Sequence, residues 1–170
     1  MNYALTLRQM PEGIITLAIS LAVLPVLAKQ RHEIAAFRES LAAGLRLVMV
    51  IIVPVTIGLI VLAVPLVQII YQHGSFTAAD TVITAQALQY YLLGLPFAGI
   101  DSLLVFAFYA RQNTVTPALV GVGAAFVYAG VAVILLPQIG LLSLMIADSV
   151  KLIFHVVISA ALLRRHSSRH

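Results

Sequence analysis

Four ionisable side chains stand inside apolar stretches of this chain, and they are where chemistry would be done. In "LMIADSVKLIFHVVIS" (Leu144 to Ser159), Asp148, Lys151 and His155 interrupt a run that is otherwise almost wholly apolar. Asp101 does the same in "PFAGIDSLLVFAFYA". A charge at mid-bilayer costs about 2.5–3.5 kcal/mol on insertion scales, so such groups are rare and usually have a purpose. Asp148 and Lys151 are three residues apart and His155 is four further on, which puts all three on one stripe of a helix. Three readings are open. Asp148 and Lys151 form a neutralising pair that ties helices together, or the stripe is a polar patch lining a cavity or an ion path, or one or more of the groups is simply neutral. In the second reading His155 is the candidate for a proton or ion step, because histidine is the side chain that changes charge near neutrality. Asp101 is expected at similar depth, as the cross-helix neighbour of the stripe. No HExxH, GxSxG, glycine-rich phosphate loop or paired-carboxylate motif is present. No catalytic residue, metal site or cofactor is therefore expected, and the protein is not read as an enzyme.

These groups need elements to hold them, and composition says which kind. Of 170 residues, 62% are hydrophobic and 9% charged, where a soluble domain averages about 25% charged. That leaves too little polar surface to coat a water-soluble fold, so the class is all-α integral membrane. Cysteine is absent, which excludes a disulfide framework and thiolate metal sites; tryptophan is absent too, so an interfacial aromatic belt would rest on Tyr and Phe. A spanning helix needs about 20 apolar residues. The expectation is a single membrane segment over residues 1–170 with about five transmembrane helices. They are placed at Gly13–Ala28 (extendable through "LRQMP", with Pro11 near the start), Leu45–Leu66, Val82–Ala110, Pro117–Leu136 and Gly140–Leu163. "LPQIG" reads as a tight turn between the last two.

The basic residues alternate with these spans. Lys29, Arg31 and Arg38 follow the first, Arg111 the third, and Arg164, Arg165 and Arg169 the fifth. The loops "QHGSFTAAD" and "PQIG" carry no Lys or Arg. By the positive-inside rule the N-terminus is outside and the tail cytoplasmic, with Arg8 the exception on the outer side. The first apolar run ends in "VLPVLAKQR", which lacks a small-x-small cleavage site, so it is expected to be kept as a span. The tail "LLRRHSSRH" follows a span, so it is read as contacting lipid headgroups and no nucleic-acid partner is expected.

Proline and glycine recur within the spans. "GLPFAG" (Gly94 to Gly99) puts three joints in six residues and predicts a real bend. Gly121, Ala125 and Gly130 suggest close packing without a strict GxxxG. "HGSF" reads as a turn, Thr77 as the cap of a helix with Asp80 in its first turn, and "VPLVQIIYQ" as a short amphipathic piece at the outer interface.

Several stretches also carry a family resemblance. "YALTLRQMPEGIITLAISLAVLPVLAKQ", "FRESLAAGLRLVMVIIVPVTIGLIVLAVPLVQIIYQHGSFTAADT", "QALQYYLLGLPFAG" and "AFYARQNTVTP" occur in the order seen in the MurJ (MviN) family of lipid II flippases, which the chain resembles from Tyr3 to Arg165. The resemblance covers about a third of a typical member and looks like its eighth to twelfth spans, in the second lobe. It implies flipping of a polyprenyl-pyrophosphate-linked peptidoglycan precursor across the cytoplasmic membrane, by alternating access between two lobes around a cationic cavity. The implied partners are the bilayer, the lipid-linked pyrophosphate substrate, and a first lobe or partner chain not present in this sequence. Arginine suits pyrophosphate because guanidinium matches phosphate as a fork and stays charged. The implied substrate-binding candidates are Thr6, Arg8 and Gln9. Members usually have arginine where Thr6 stands; Arg8 lies two residues on, about 200° around a helix, and so would face away from that position. Members often have lysine at Ser102, beside which this chain has Asp101. The alternatives are another exporter of lipid-linked sugars from the multidrug/oligosaccharidyl-lipid/polysaccharide exporter superfamily to which that family belongs, and a membrane scaffold without transport activity, derived from a degenerate fragment.

Overall fold

The structure, a computed structural model, describes residues 2–72, 77–140 and 142–166. The expected "HGSF" turn and the tail residues 167–170, Arg169 among them, lie outside the described residues. The described chain is helical: α1 (Asn2–Lys29), α2 (Ile34–Val61), α3 (Ala63–Tyr71), α4 (Ala78–Leu92), α5 (Leu95–Ala110), α6 (Val115–Ile139) and α7 (Leu142–His166). Four stretches, Thr6–Lys29, Ile34–Val61, Val115–Ile139 and Leu142–Arg165, are each long and apolar enough to cross a membrane. The pair α4 and α5 makes a fifth candidate, bent by 42°. The protein is an all-α, multi-pass membrane protein. In lipid the backbone must satisfy its own hydrogen bonds, and helices do so within one segment.

The prolines divide into those that stop a helix and those it runs through. Proline's ring clashes with the carbonyl four residues back. For Pro65 that residue is Val61, where α2 ends; α3 restarts at Ala63 and takes Pro65 in its first turn, where its missing N–H costs nothing. The expected second span, Leu45–Leu66, is thus displaced: α2 starts at Ile34, takes in Arg38, Glu39 and Arg46, and leaves Pro65 to α3. Pro11 lies well inside α1 rather than near its start. Pro137 lies inside α6, so "LPQIG" is not a turn throughout. The helix continues to Ile139 and the chain leaves it at Gly140, whose φ of 58° is left-handed.

The bend expected at "GLPFAG" falls at Gly94, between α4 and α5, with Pro96 in the first turn of α5. Thr77 caps α4 in a capping box. Its hydroxyl accepts from the Asp80 N–H at 3.3 Å, and the Asp80 carboxylate accepts from the Thr77 N–H at 2.9 Å.

At the centre lies α5, which packs on α1, α2 and α7 and buries Leu95, Leu103, Leu104, Ala107 and Phe108. Gly99 admits α2 closely: a Cβ there would lie 2.5 Å from Ile52 Cδ1 and 3.0 Å from Val48 Cγ1. Along α7 lies α6, with Gly121 and Gly123 toward it, while Ala125 and Gly130 face outward. The outer faces of α1, α2 and α6 expose Leu17, Leu21, Val50, Ile57, Phe126 and Val133. This is an inside-out distribution for water and an ordinary one for lipid.

Candidate functional site

The intramembrane charges meet in one place. Each helix supplies a few residues at helical spacing: α1 carries Arg8 and Glu12, α5 carries Asp101, and α7 carries Asp148, Lys151 and His155. Arg8 on α1 reaches Asp148 on α7 and lies 3.4 Å from Glu12 on its own helix. Lys151 Nζ donates to the other Asp148 oxygen at 2.6 Å. His155 Nδ1 meets Asp101 Oδ1 across the α5–α7 interface. Aromatic faces cover the cations, with Arg8 5.5 Å from the Tyr91 ring centre and Lys151 5.7 Å from that of Tyr128.

Burial differs along this line. The Arg8 and Asp148 side chains are 6% and 15% exposed and Lys151 is 34% exposed, so the interhelical arm of Asp148 is the dry one. Asp148 is the hub, one carboxylate shared by two cations. Counting from the helix starts at 1.5 Å per residue, Asp148 is about 10 Å into α7 and His155 about 20 Å. The groups therefore form a line that runs down the bundle. Hydroxyls extend it on the α1–α5 side, where Thr16 Oγ1 lies 3.2 Å from Ser102 Oγ, which itself donates to the Ala98 carbonyl at 2.9 Å.

The stripe Asp148, Lys151 and His155 shares one face, and Asp101 is its cross-helix neighbour, with His155 as partner. Of the three candidates on α1, Arg8 is buried and joins this network, whereas Thr6 and Gln9 are exposed. Thr6 and Arg8 point to different sides, as the 200° between them requires, and it is Arg8 that turns into the bundle. Reading the sequence missed Glu12, Tyr91 and Tyr128. The Arg8–Glu12 spacing of four was a usable signal; no sequence pattern flagged the tyrosines.

Comparison with known proteins gives a consistent result. The family model described as "Lipid II flippase MurJ" matches residues 1–170. A lipid II flippase MurJ of Thermosipho africanus is 35% identical over 117 residues, covering 69% of this chain and 24% of that protein. A probable lipid II flippase MurJ of Bdellovibrio bacteriovorus is 28% identical over 163 residues, covering 95% of this chain and 31% of its own length. A solved structure titled "Lipid II flippase MurJ, inward closed conformation" superposes with a TM-score of 0.76 at 30% identity, over 95% of this chain and 34% of that one. The chain thus spans about a quarter to a third of these relatives.

Proposed function

The chain belongs to the lipid II flippase MurJ family, and on that premise we propose that it forms part of the second lobe of a transporter that turns a lipid-linked peptidoglycan precursor across the cytoplasmic membrane. The observation that carries this reading is a family match over all 170 residues together with a backbone likeness to a flippase over 95% of the chain. Alternating access needs a second body of helices. The exposed apolar faces of α1, α2 and α6 are open to lipid and to such a body. The N-terminus lies outside and the C-terminus in the cytoplasm, as the Lys/Arg alternation indicates.

In this reading the polar network is what holds α1, α5 and α7 in register. Arg8 is committed to Asp148 and Glu12, so it reaches a substrate pyrophosphate only when α1 moves relative to α7. The bend at Gly94 provides one joint for such a movement. Exposed Thr6 and Gln9, one turn apart on α1 and turned away from Arg8, line the face open to substrate.

A chimera tests this. The corresponding segment of a full-length relative is replaced by these 170 residues, and the chimera is expressed in cells depleted of their own flippase. Growth should be restored by the chimera and not by the 170 residues alone, which supply one side of the cavity. A chimera that inserts at normal levels yet never supports growth would overturn the reading, and rescue by the segment alone would overturn the need for a second lobe.

A further inference from the structure

At the opposite end of the bundle from Arg8 is a second cationic feature that the flipping reading does not use. The α1–α2 connection, the α5–α6 connection and the end of α7 border an open cavity of about 490 Å³. This is within the range of small-molecule sites. Arg31, His32, Arg111, Gln112 and Asn113 line its polar side, and Ile34, Phe108 and Leu163 its apolar side. Arg111 is about 15 Å along α5 from Asp101, so the cavity is separate from the polar network.

The Arg111 donors are positioned and unspent. The Arg111 guanidinium lies over the Phe37 ring, 4.4 Å from its centre, which fixes its plane and leaves its edges free to donate. Its Nε is buried without a hydrogen-bond partner. Burial pushes Arg111 below the usual arginine range, and the nearby Arg38 adds to this. Among the described residues no carboxylate lies within ion-pairing distance of Arg31, Arg38 or Arg111. Arg31 Nε donates to His32 Nε2 at 2.8 Å, so the His32 proton resides on Nδ1, which is then a donor. The neighbouring Asn113 is already used: its side chain accepts from the Thr116 N–H at 3.0 Å and donates to Thr116 Oγ1 at 2.8 Å, which fixes the loop. Two guanidiniums and an imidazole therefore line one cavity, and among the described residues no carboxylate pairs with either guanidinium.

We propose that Arg31, His32 and Arg111 bind a phosphate group in this cavity. Guanidinium edges match phosphate oxygens as forks, and the apolar wall of Ile34, Phe108 and Leu163 suits the glycerol or acyl carbons of a phospholipid. The phosphate comes either from an anionic lipid headgroup or from free phosphate in solution. Positive charge at this end of the spans marks it as the cytoplasmic end, where anionic headgroups are at hand.

Native mass spectrometry of the purified 170-residue chain in detergent distinguishes these sources. The probes are dioctanoyl phosphatidylglycerol, dioctanoyl phosphatidylcholine and inorganic phosphate. Phosphatidylglycerol should bind, and Arg111→Gln should weaken it by roughly tenfold to a hundredfold, the loss expected for a charge-assisted hydrogen-bonded contact. Arg31→Gln alters an exposed residue outside the apolar core, and should also weaken binding if Arg111→Gln proves too unstable to purify. Displacement of the lipid by inorganic phosphate at comparable concentration would support the site with free phosphate as its ligand. Lipid binding unchanged in both variants, or phosphatidylcholine binding as tightly as phosphatidylglycerol and equally in the variants, would overturn the proposal.

Discussion

Replacing Asp148 by Asn removes the one carboxylate that Arg8 and Lys151 share. Arg8 is then left with Glu12 at 3.4 Å, and Lys151 with the face of Tyr128 at 5.7 Å. Taking one partner from a buried ion pair typically costs about 3–5 kcal/mol, because the stranded charge is the expensive species. The Arg8 arm, 6% and 15% exposed at its two ends, belongs to that regime. The Lys151 arm does not. Lys151 is 34% exposed and reaches solvent, so its pairing contributes about 1 kcal/mol or less. Asp148→Asn should therefore cost about 3–5 kcal/mol and Lys151→Met about 1 kcal/mol or less. Arg8→Met should fall between them, since Asp148 keeps Lys151. At about 2–4 °C per kcal/mol for a chain of this size, Asp148→Asn lowers the thermal midpoint by roughly 6–20 °C. Arg8→Met/Asp148→Asn together should lose less than the sum of the single changes. The assay is loss of helical circular dichroism on heating the purified chain in detergent. The reasoning fails if Lys151→Met falls as far as Asp148→Asn, or if the double variant loses the full sum.

Three further outcomes follow from the same structure. Gly99→Ala places a methyl 2.5 Å from Ile52 Cδ1 and 3.0 Å from Val48 Cγ1, so the Ile52 side chain must turn aside or α2 must move from α5; stability should drop by about 1–3 kcal/mol, read as a lower midpoint in the same melt. Thr77→Ala removes the hydroxyl half of the α4 capping box and should cost about 0.5–2 kcal/mol, seen as faster amide exchange in the first turn of α4. A single cysteine at Gln30 should resist membrane-impermeant thiol reagents added outside intact cells while one at Thr77 reacts; the reverse pattern would invert the topology.

How far the sequence could be read depended on how local the determining contact was. The Asp148–Lys151 pair was legible because three residues along a helix always bring side chains together. The capping box of Thr77 and Asp80 was equally local. The bend near Gly94 was legible because glycine and proline weaken a helix wherever they cluster. Pro65 and Pro137 show the limit. Both interrupt backbone hydrogen bonding, yet α2 ends where the Pro65 ring would meet the Val61 carbonyl, whereas α6 runs through Pro137 to Ile139. Which prolines a helix survives depends on what packs around it. The Arg8–Asp148 contact spans 140 residues of sequence, and helix spacing carries no information about which helices become neighbours. The cationic cavity was hidden for the same reason: Arg31, Phe37 and Arg111 lie on separate connections and helices that only the fold brings together.

That fold-level assembly also explains how charges this costly are kept among apolar helices. The network holds two fixed cations, Arg8 and Lys151, and three carboxyl groups, Glu12, Asp101 and Asp148. Asp148 is matched by its two cations, which leaves Asp101 with His155 as its partner. An imidazole nitrogen and a carboxyl oxygen in contact must share a hydrogen, carried by one or the other. The backbone of α6 approaches on the far side of the ring, where a Cβ on Gly121 would lie 3.8 Å from His155 Nε2. The His155–Asp101 contact therefore ties α5 to α7 with α6 packed behind it. Arg8 of α1, Asp101 of α5 and the three groups of α7 each keep a polar partner inside the bundle, and it is this pairing across three helices that lets so apolar a chain retain them.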